Sequence, residues 1–200
     1  FHPTDPENFE PYTRNDKLAR PWAMPGTEGF EHRIGGLEKQ DITGNVSYDP
    51  ENHQRMTQLR KAKVDRVADF IPTIEPHGDP SGDLLLLSWG GTYGSVITAV
   101  DRARAKGHKV SAAHLRHLCP YPRNLGEVLK RFKRVLVPEL NTGQLRTLIR
   151  GEFLVDARGL NKVQGKPFLV EEIEQAMELM LSGDWPEDRL FLMPTNHEVT

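Results

Sequence analysis

The chain has 200 residues and a mass of 22.7 kDa, enough for one domain, or one domain with a long arm, and enough to bury a core without staples. With 26 Lys+Arg against 28 Asp+Glu and a formal net charge of −2, no global field favours nucleic acid or an anionic lipid surface. The single cysteine, Cys119, excludes an intramolecular disulfide and any multi-cysteine zinc or iron–sulfur site made by this chain alone. A reducing, cytoplasmic setting fits that usage. No apolar run approaches the roughly 18 to 20 residues needed to span a bilayer, and the start carries no charged-then-apolar signal pattern. A chain beginning at Phe1 is expected to be a piece of something longer.

Apolar residues are unevenly spread: positions 1–82 hold 23 of them and positions 83–200 hold 51. The first stretch also has 9 of the 15 prolines and 10 basic against 14 acidic residues. An extended arm over 1–48 is expected first, with Pro3, Pro6, Pro11, Pro21, Pro25 and Gly35-Gly36 blocking long helices. Trp22, Met24, Phe30, Ile34 and Leu37 are too many apolar side chains for a freely solvated tail. The arm therefore lies on something, and Glu31, His32, Arg33 and Glu38 mark its candidate interface. Over 49–82 come a helix and a linker. Asp49 suits the N-cap and Pro50 the first turn, Met56, Leu59, the Lys63 stem, Val67 and Ile71 form the inner face, and the helix stops before Pro72.

From 83 to 200 an apolar run, a turn and a 3.6-period segment recur, the pattern of parallel βα units. Strands are predicted at 84–89, 109–115, 135–137 and near 160–163. Between them come a helix capped by Thr92, with Val96, Ala99, Val100 and Ala103 inward, and one begun by Asn124 and Glu127, with Leu125, Val128, Leu129 and Phe132 inward. A third is capped by Thr142, with Leu145, Leu148, Ile149 and Phe153 inward. A last helix has Glu171 and Glu172 in its first turn and closes at Gly183. Right-handed crossovers make this an α/β fold, a three-layer α/β/α sandwich on a mostly parallel sheet.

The turn Gly90-Gly91-Thr92-Tyr93-Gly94 is a candidate anion-binding turn, because free N–H groups and a helix dipole meet there. Its GGxxG spacing is not GxGxxG, and no acidic residue ends the second strand to hold a ribose. The structural reading is that the glycines permit a tight turn and close helix-to-sheet packing. Strand ends also gather His114, Arg116, Glu139 and Asn141, a polar cluster where open α/β sheets place ligands. His114 and His117 would face opposite ways in extended chain and could not share a metal. Glu139 reads either as a general base or as a structural partner, for instance of Arg116, and Cys119 either as a nucleophile or as a packed or interface residue. No catalytic residue and no metal site are assigned.

Several blocks in order resemble a known family. They are Ala19-Arg20-Pro21 to Pro25-Gly26-Thr27, Glu31-His32-Arg33-Ile34-Gly35-Gly36-Leu37-Glu38, Ser88-Trp89-Gly90-Gly91-Thr92-Tyr93-Gly94, His114-Leu115-Arg116-His117-Leu118-Cys119-Pro120-Tyr121-Pro122, Val137-Pro138-Glu139-Leu140-Asn141-Thr142-Gly143-Gln144-Leu145 and Gly165-Lys166-Pro167-Phe168. They are similar to the later part of the α-subunit of 2-oxoacid:ferredoxin oxidoreductases, the 2-oxoglutarate branch most. The resemblance implies a transketolase C-terminal-like domain in an enzyme that converts a 2-oxoacid and CoA to acyl-CoA, CO2 and reduced ferredoxin. It implies thiamine diphosphate, Mg²⁺ and an iron–sulfur cluster in the holoenzyme but none on this chain alone. Its partners would be a β-subunit, a second copy of the α/β unit, ferredoxin and CoA, with no nucleic acid and no membrane. This domain would serve assembly or edge the active site, and the isolated stretch would be inactive. Arg33-Ile34-Gly35-Gly36 replaces the acidic residues of other branches, which leaves the substrate open at that stretch. Gly91 stands where serine is common, which removes an anion-binding hydroxyl. Two other readings stay open: a self-contained phosphate- or nucleotide-binding module using the Gly90 to Gly94 turn, and a pure dimerisation module.

Overall fold

The computed structural model describes residues 1–186 and 189–192, and the chain divides into two compact units, Phe1–Ile71 and Pro72–Thr200.

The first unit is an irregular arm wound on helix α1, Pro50–Asp65, which Asp49 caps by accepting from the Glu51 N–H at 3.0 Å. Asn52 ties arm to helix. Its amide accepts from the Asp41 N–H and donates to the Lys39 carbonyl, both at 3.0 Å, in a nearly buried position. Asp41 is clamped by Arg14 at 2.6 Å and Arg55 at 2.7 Å. Burial opposes its ionisation, but the Arg55 hydrogen bond and the charges of Arg14 and Arg55 prevail and hold its carboxyl below the usual range. The helix does not run to Ile71: Arg66–Asp69 is a 3-10 turn. With three residues per turn the inner face shifts, so Ala68 is buried and Val67 is exposed.

The second unit begins with a linker that lies beside the sheet, His77 exchanging backbone hydrogen bonds with Ala112 at 2.7 and 3.0 Å. Five strands follow: β1 Gly82–Trp89, β2 Val110–Leu115, β3 Phe132–Glu139, β4 Ala157–Asn161 and β5 Arg189–Phe191, in the order β2-β1-β3-β4-β5, every pairing parallel. Helices α2 Tyr93–Ala105 and α5 Val170–Ser182 cover one face, and α3 Leu125–Lys130 and α4 Gln144–Phe153 the other. This is the anticipated three-layer sandwich. The continuous run in β1 divides by strand alternation: Leu84 and Leu86 join Val96, Val100 and Ile173, and Leu85 and Leu87 join Val128, Leu129 and Ile149.

Four local expectations change. Phe132 opens β3 instead of closing α3, because Arg131 already caps that helix. In α4 the buried positions are Leu145, Arg146 and Ile149, while Leu148 is exposed. The Arg146 side chain can enter because its Nε donates to the Ala157 carbonyl at 3.2 Å. The fourth strand starts at Ala157, and β5 has too short an apolar signature to stand out in sequence. None of the three polar caps bonds its helix as expected. Thr92 donates back to the Trp89 carbonyl at 2.8 Å, Asn124 both accepts from and donates to the backbone of Ile74, at 2.9 and 2.8 Å, and Gly143 rather than Thr142 is the N-cap of α4. The far end of α4 is capped by Leu154, left-handed at φ 54° and exposed. Gly183, at φ 90°, closes α5 as anticipated.

Candidate functional site

The carboxyl edge of the sheet carries the polar side chains. The strand order puts the change of winding direction between β1 and β3, where doubly wound sheets open a crevice. Trp89 ends one of these strands and Glu139 the other, so that crevice is built from their side chains and from the turns after them.

Glu139 is fully buried. Its carboxylate accepts from the Leu145 N–H at 2.9 Å and the Arg146 N–H at 3.0 Å, from Asn141 Nδ2 at 3.2 Å and from Trp89 Nε1 at 3.3 Å. The first two are orphan donors at the start of α4, where a negative charge also meets the positive end of the helix dipole. Asn141 accepts from the Gly143 N–H at 2.7 Å and completes the cap. Arg116 is not a partner of Glu139, contrary to the sequence reading; it is exposed beyond the end of β2. All four donors to Glu139 are thus accounted for by structure.

The polar cluster therefore separates by strand alternation. Glu139 and Asn141 sit with Trp89 and α4, whereas His114 lies on the α2 face, its Nδ1 2.8 Å from Ser88 Oγ and its ring edge-on to Tyr93 at 5.0 Å. Burial, and then the charge of Arg116, lower the His114 pKa from its ordinary value. His117 lies past the last residue of β2, so strand alternation no longer governs it, and it lines the same cavity as His114. Cys119 is exposed rather than packed.

The Gly90 to Gly94 turn is a single 3-10 turn, Gly90–Thr92, leading into α2. Gly90 has φ +58°, so the tight turn does require glycine there. Close packing does not explain the others: a Cβ added at Gly91 or Gly94 would meet nothing within 4 Å. The backbone is bare and faces open space.

In the arm, Glu31 and Arg33 are exposed and His32 is half-buried, with Nδ1 2.9 Å from the Phe30 carbonyl and its ring edge-on to Phe9. Glu38 turns inward instead, to His53 at 2.6 Å and Arg60 at 3.2 Å. Those two partners, His53 first, hold its carboxyl below the ordinary value. The apolar members stand outward: Trp22 is 69% exposed, Ile34 80% and Tyr48 87%. Sequence reading named Trp22 and Ile34 but missed Tyr48, which stands one residue before the helix cap.

Among the described residues no group of three or more His, Cys, Asp or Glu is placed to hold a metal ion, and no helix is long and apolar enough to cross a membrane.

Residues 82–173 match the model of the pyruvate:ferredoxin oxidoreductase core domain II family. The chain is 49% identical over 180 residues to the 2-oxoglutarate oxidoreductase subunit KorA of Mycobacterium tuberculosis, covering 88% of this chain and 27% of that one. It is 31% identical over 170 residues to the 2-oxoglutarate synthase subunit KorA of Methanocaldococcus jannaschii, covering 81% and 44%. A solved 2-oxoglutarate:ferredoxin oxidoreductase from Magnetococcus marinus, with 2-oxoglutarate, coenzyme A and succinyl-CoA bound, superposes with a TM-score of 0.80 at 32% identity, over 87% of this chain and 31% of that one. The chain thus spans less than half the length of these relatives. They favour an oxidoreductase subunit over a self-contained nucleotide-binding module.

Two outcomes test this geometry. Glu139→Ala removes the acceptor for four donors and is expected to cost about 3 kcal/mol, read as a lower urea midpoint, while Glu127→Ala on the exposed face of α3 changes little. The His114 imidazole should titrate below the ordinary histidine value of about 6.5 in an NMR pH series. Its folded pKa is depressed, so the unfolded chain binds more protons as pH falls below about 6.5. His114 therefore stabilises the fold above that pH, and the contribution is lost as pH drops toward the folded value. His114→Phe should flatten that part of the stability profile.

Proposed function

Because the chain belongs to the 2-oxoacid:ferredoxin oxidoreductase α-subunit family, we propose that it forms the transketolase C-terminal-like domain, and the arm before it, of an enzyme that oxidises 2-oxoglutarate. The reaction joins one 2-oxoacid and one CoA, releases CO2 and a proton, and passes two electrons to two ferredoxins, leaving acyl-CoA. The observation that carries the substrate is the 49% identity to a 2-oxoglutarate oxidoreductase subunit, with the ligand-bound 2-oxoglutarate enzyme as its structural likeness.

The role we assign to this chain is assembly, and a shaped edge for the active site, rather than bond making. Glu139, the one buried carboxylate among the described residues, is committed to α4, and the single thiol of the sequence cannot hold a cluster that needs several cysteine ligands. We therefore assign thiamine diphosphate, Mg²⁺ and the iron–sulfur cluster to other parts of the holoenzyme, and infer a β-subunit, ferredoxin and a cytoplasmic location. Exposed Trp22, Ile34 and Tyr48 support an arm covered in the assembly, and the uncovered glycines at 91 and 94 support a close approach by a neighbouring backbone.

The assay is methyl-viologen reduction by the full α-subunit carrying this sequence, combined with its β-subunit, thiamine diphosphate and CoA. Turnover with 2-oxoglutarate should exceed that with pyruvate by about tenfold or more; equal turnover, or none with 2-oxoglutarate, overturns the substrate assignment. A Gly91→Trp variant tests the assembly role. Gly91 is exposed and a Cβ added there meets nothing within 4 Å among the described residues, so the melting temperature of the 200-residue chain should be unchanged while co-purification with the β-subunit falls. Unaltered co-purification would remove the turn from the interface.

A further inference from the structure

The linker from Pro72 to His77, helix α2 and the carboxyl end of β2 line a half-open cavity of about 380 Å³ that none of the roles above uses. Such a volume lies in the range of pockets that hold small organic ligands, which combine an apolar wall with a few convergent polar groups. The wall here is apolar at Ile74, Tyr93, Ile97 and Pro122. Its polar part is rich in donors, with the imidazoles of His77, His114 and His117 and the guanidinium of Arg116 against one carboxylate, Glu75.

Arg116 decides the charge of the ligand. Arg102, Arg104, Arg150 and Arg158 of the same unit each hold a carboxylate within 3.1 Å. Arg116 has neither an ion pair nor a hydrogen bond among the described residues. Its permanent charge and planar fork suit a bidentate oxyanion. His77 is already engaged, with Nε2 2.6 Å from Asp101, and Ser88 occupies Nδ1 of His114, leaving Nε2 as its remaining ring nitrogen. Burial lowers the His114 pKa, so near neutral pH its ring adds a hydrogen-bonding nitrogen without a second positive charge.

We propose that this cavity binds a small organic acid, with the apolar body of the ligand against Tyr93, Ile97 and Pro122 and its acid group on Arg116 and His114. Neither an inorganic anion nor a neutral hydrocarbon uses both halves of the wall.

The test titrates the 200-residue chain with 8-anilino-1-naphthalenesulfonate, an apolar body bearing an acid, and with N-phenyl-1-naphthylamine, the same body without it. Saturable fluorescence with the sulfonate, displaced by benzoate, is expected. Arg116→Gln should weaken the sulfonate about tenfold and leave the uncharged dye unchanged. Ile97→Trp, which fills the cavity, should remove both dyes. In imidazole-selective NMR, benzoate should shift His114 and not His53, which lies in the other unit. Equal sulfonate affinity for wild type and Arg116→Gln overturns the proposal, as does dye that benzoate fails to displace. Arg116 is exposed, so its variant folds and decides the matter even if Ile97→Trp does not.

Discussion

A carboxylate with no solvent around it has to be satisfied by donors that stay put, and Glu139 imposes that constraint at the centre of the sheet. Its four donors come from the end of β1, the loop after β3 and the first turn of α4. Removing any of them would leave buried charge poorly paired, which is far costlier than losing one ordinary hydrogen bond. The carboxylate thus ties the Trp89 ring, the Asn141 loop and the first turn of α4 to the end of β3.

The layers were legible in the sequence because they depend on local periodicity. Leu84 to Trp89 reads as a strand covered on both faces, and the spacing of Val96, Ala99, Val100 and Ala103 reads as the inner stripe of a helix. What escaped depends on partners far along the chain. Asn124 looks like a helix cap, yet it serves Ile74, 50 residues earlier, and no local pattern reports that competition. Thr142 looks like a cap until a buried acid from the preceding strand takes the same N–H groups. Arg146 lies inside and Leu148 outside, and the inward arginine donates from Nε to a carbonyl of β4, a partner that no local pattern announces.

The candidate residues divided along the same line. Glycine at 90 was readable as a turn requirement, since a positive φ follows from local chain direction. That Gly91 and Gly94 face open space is a fact of tertiary structure. His114 and Glu139 stand at equivalent ends of strands yet belong to opposite faces, an outcome of register that puts one beside α2 and the other beside α4. The family resemblance supplied what spacing could not, since it rests on the order of many short blocks rather than on one motif.

Leu154 carries a consequence for how variants of this chain are judged. A branched side chain at φ 54° costs roughly 1 kcal/mol relative to glycine, and this one is 89% exposed, so the fold of the chain gains nothing from it. A search for thermostable variants would converge on glycine at this position and register success. It would also delete the most exposed large apolar side chain described. A melting curve of the separated chain reports the backbone cost at residue 154 and is blind to whatever an exposed apolar side chain would contribute to a larger assembly.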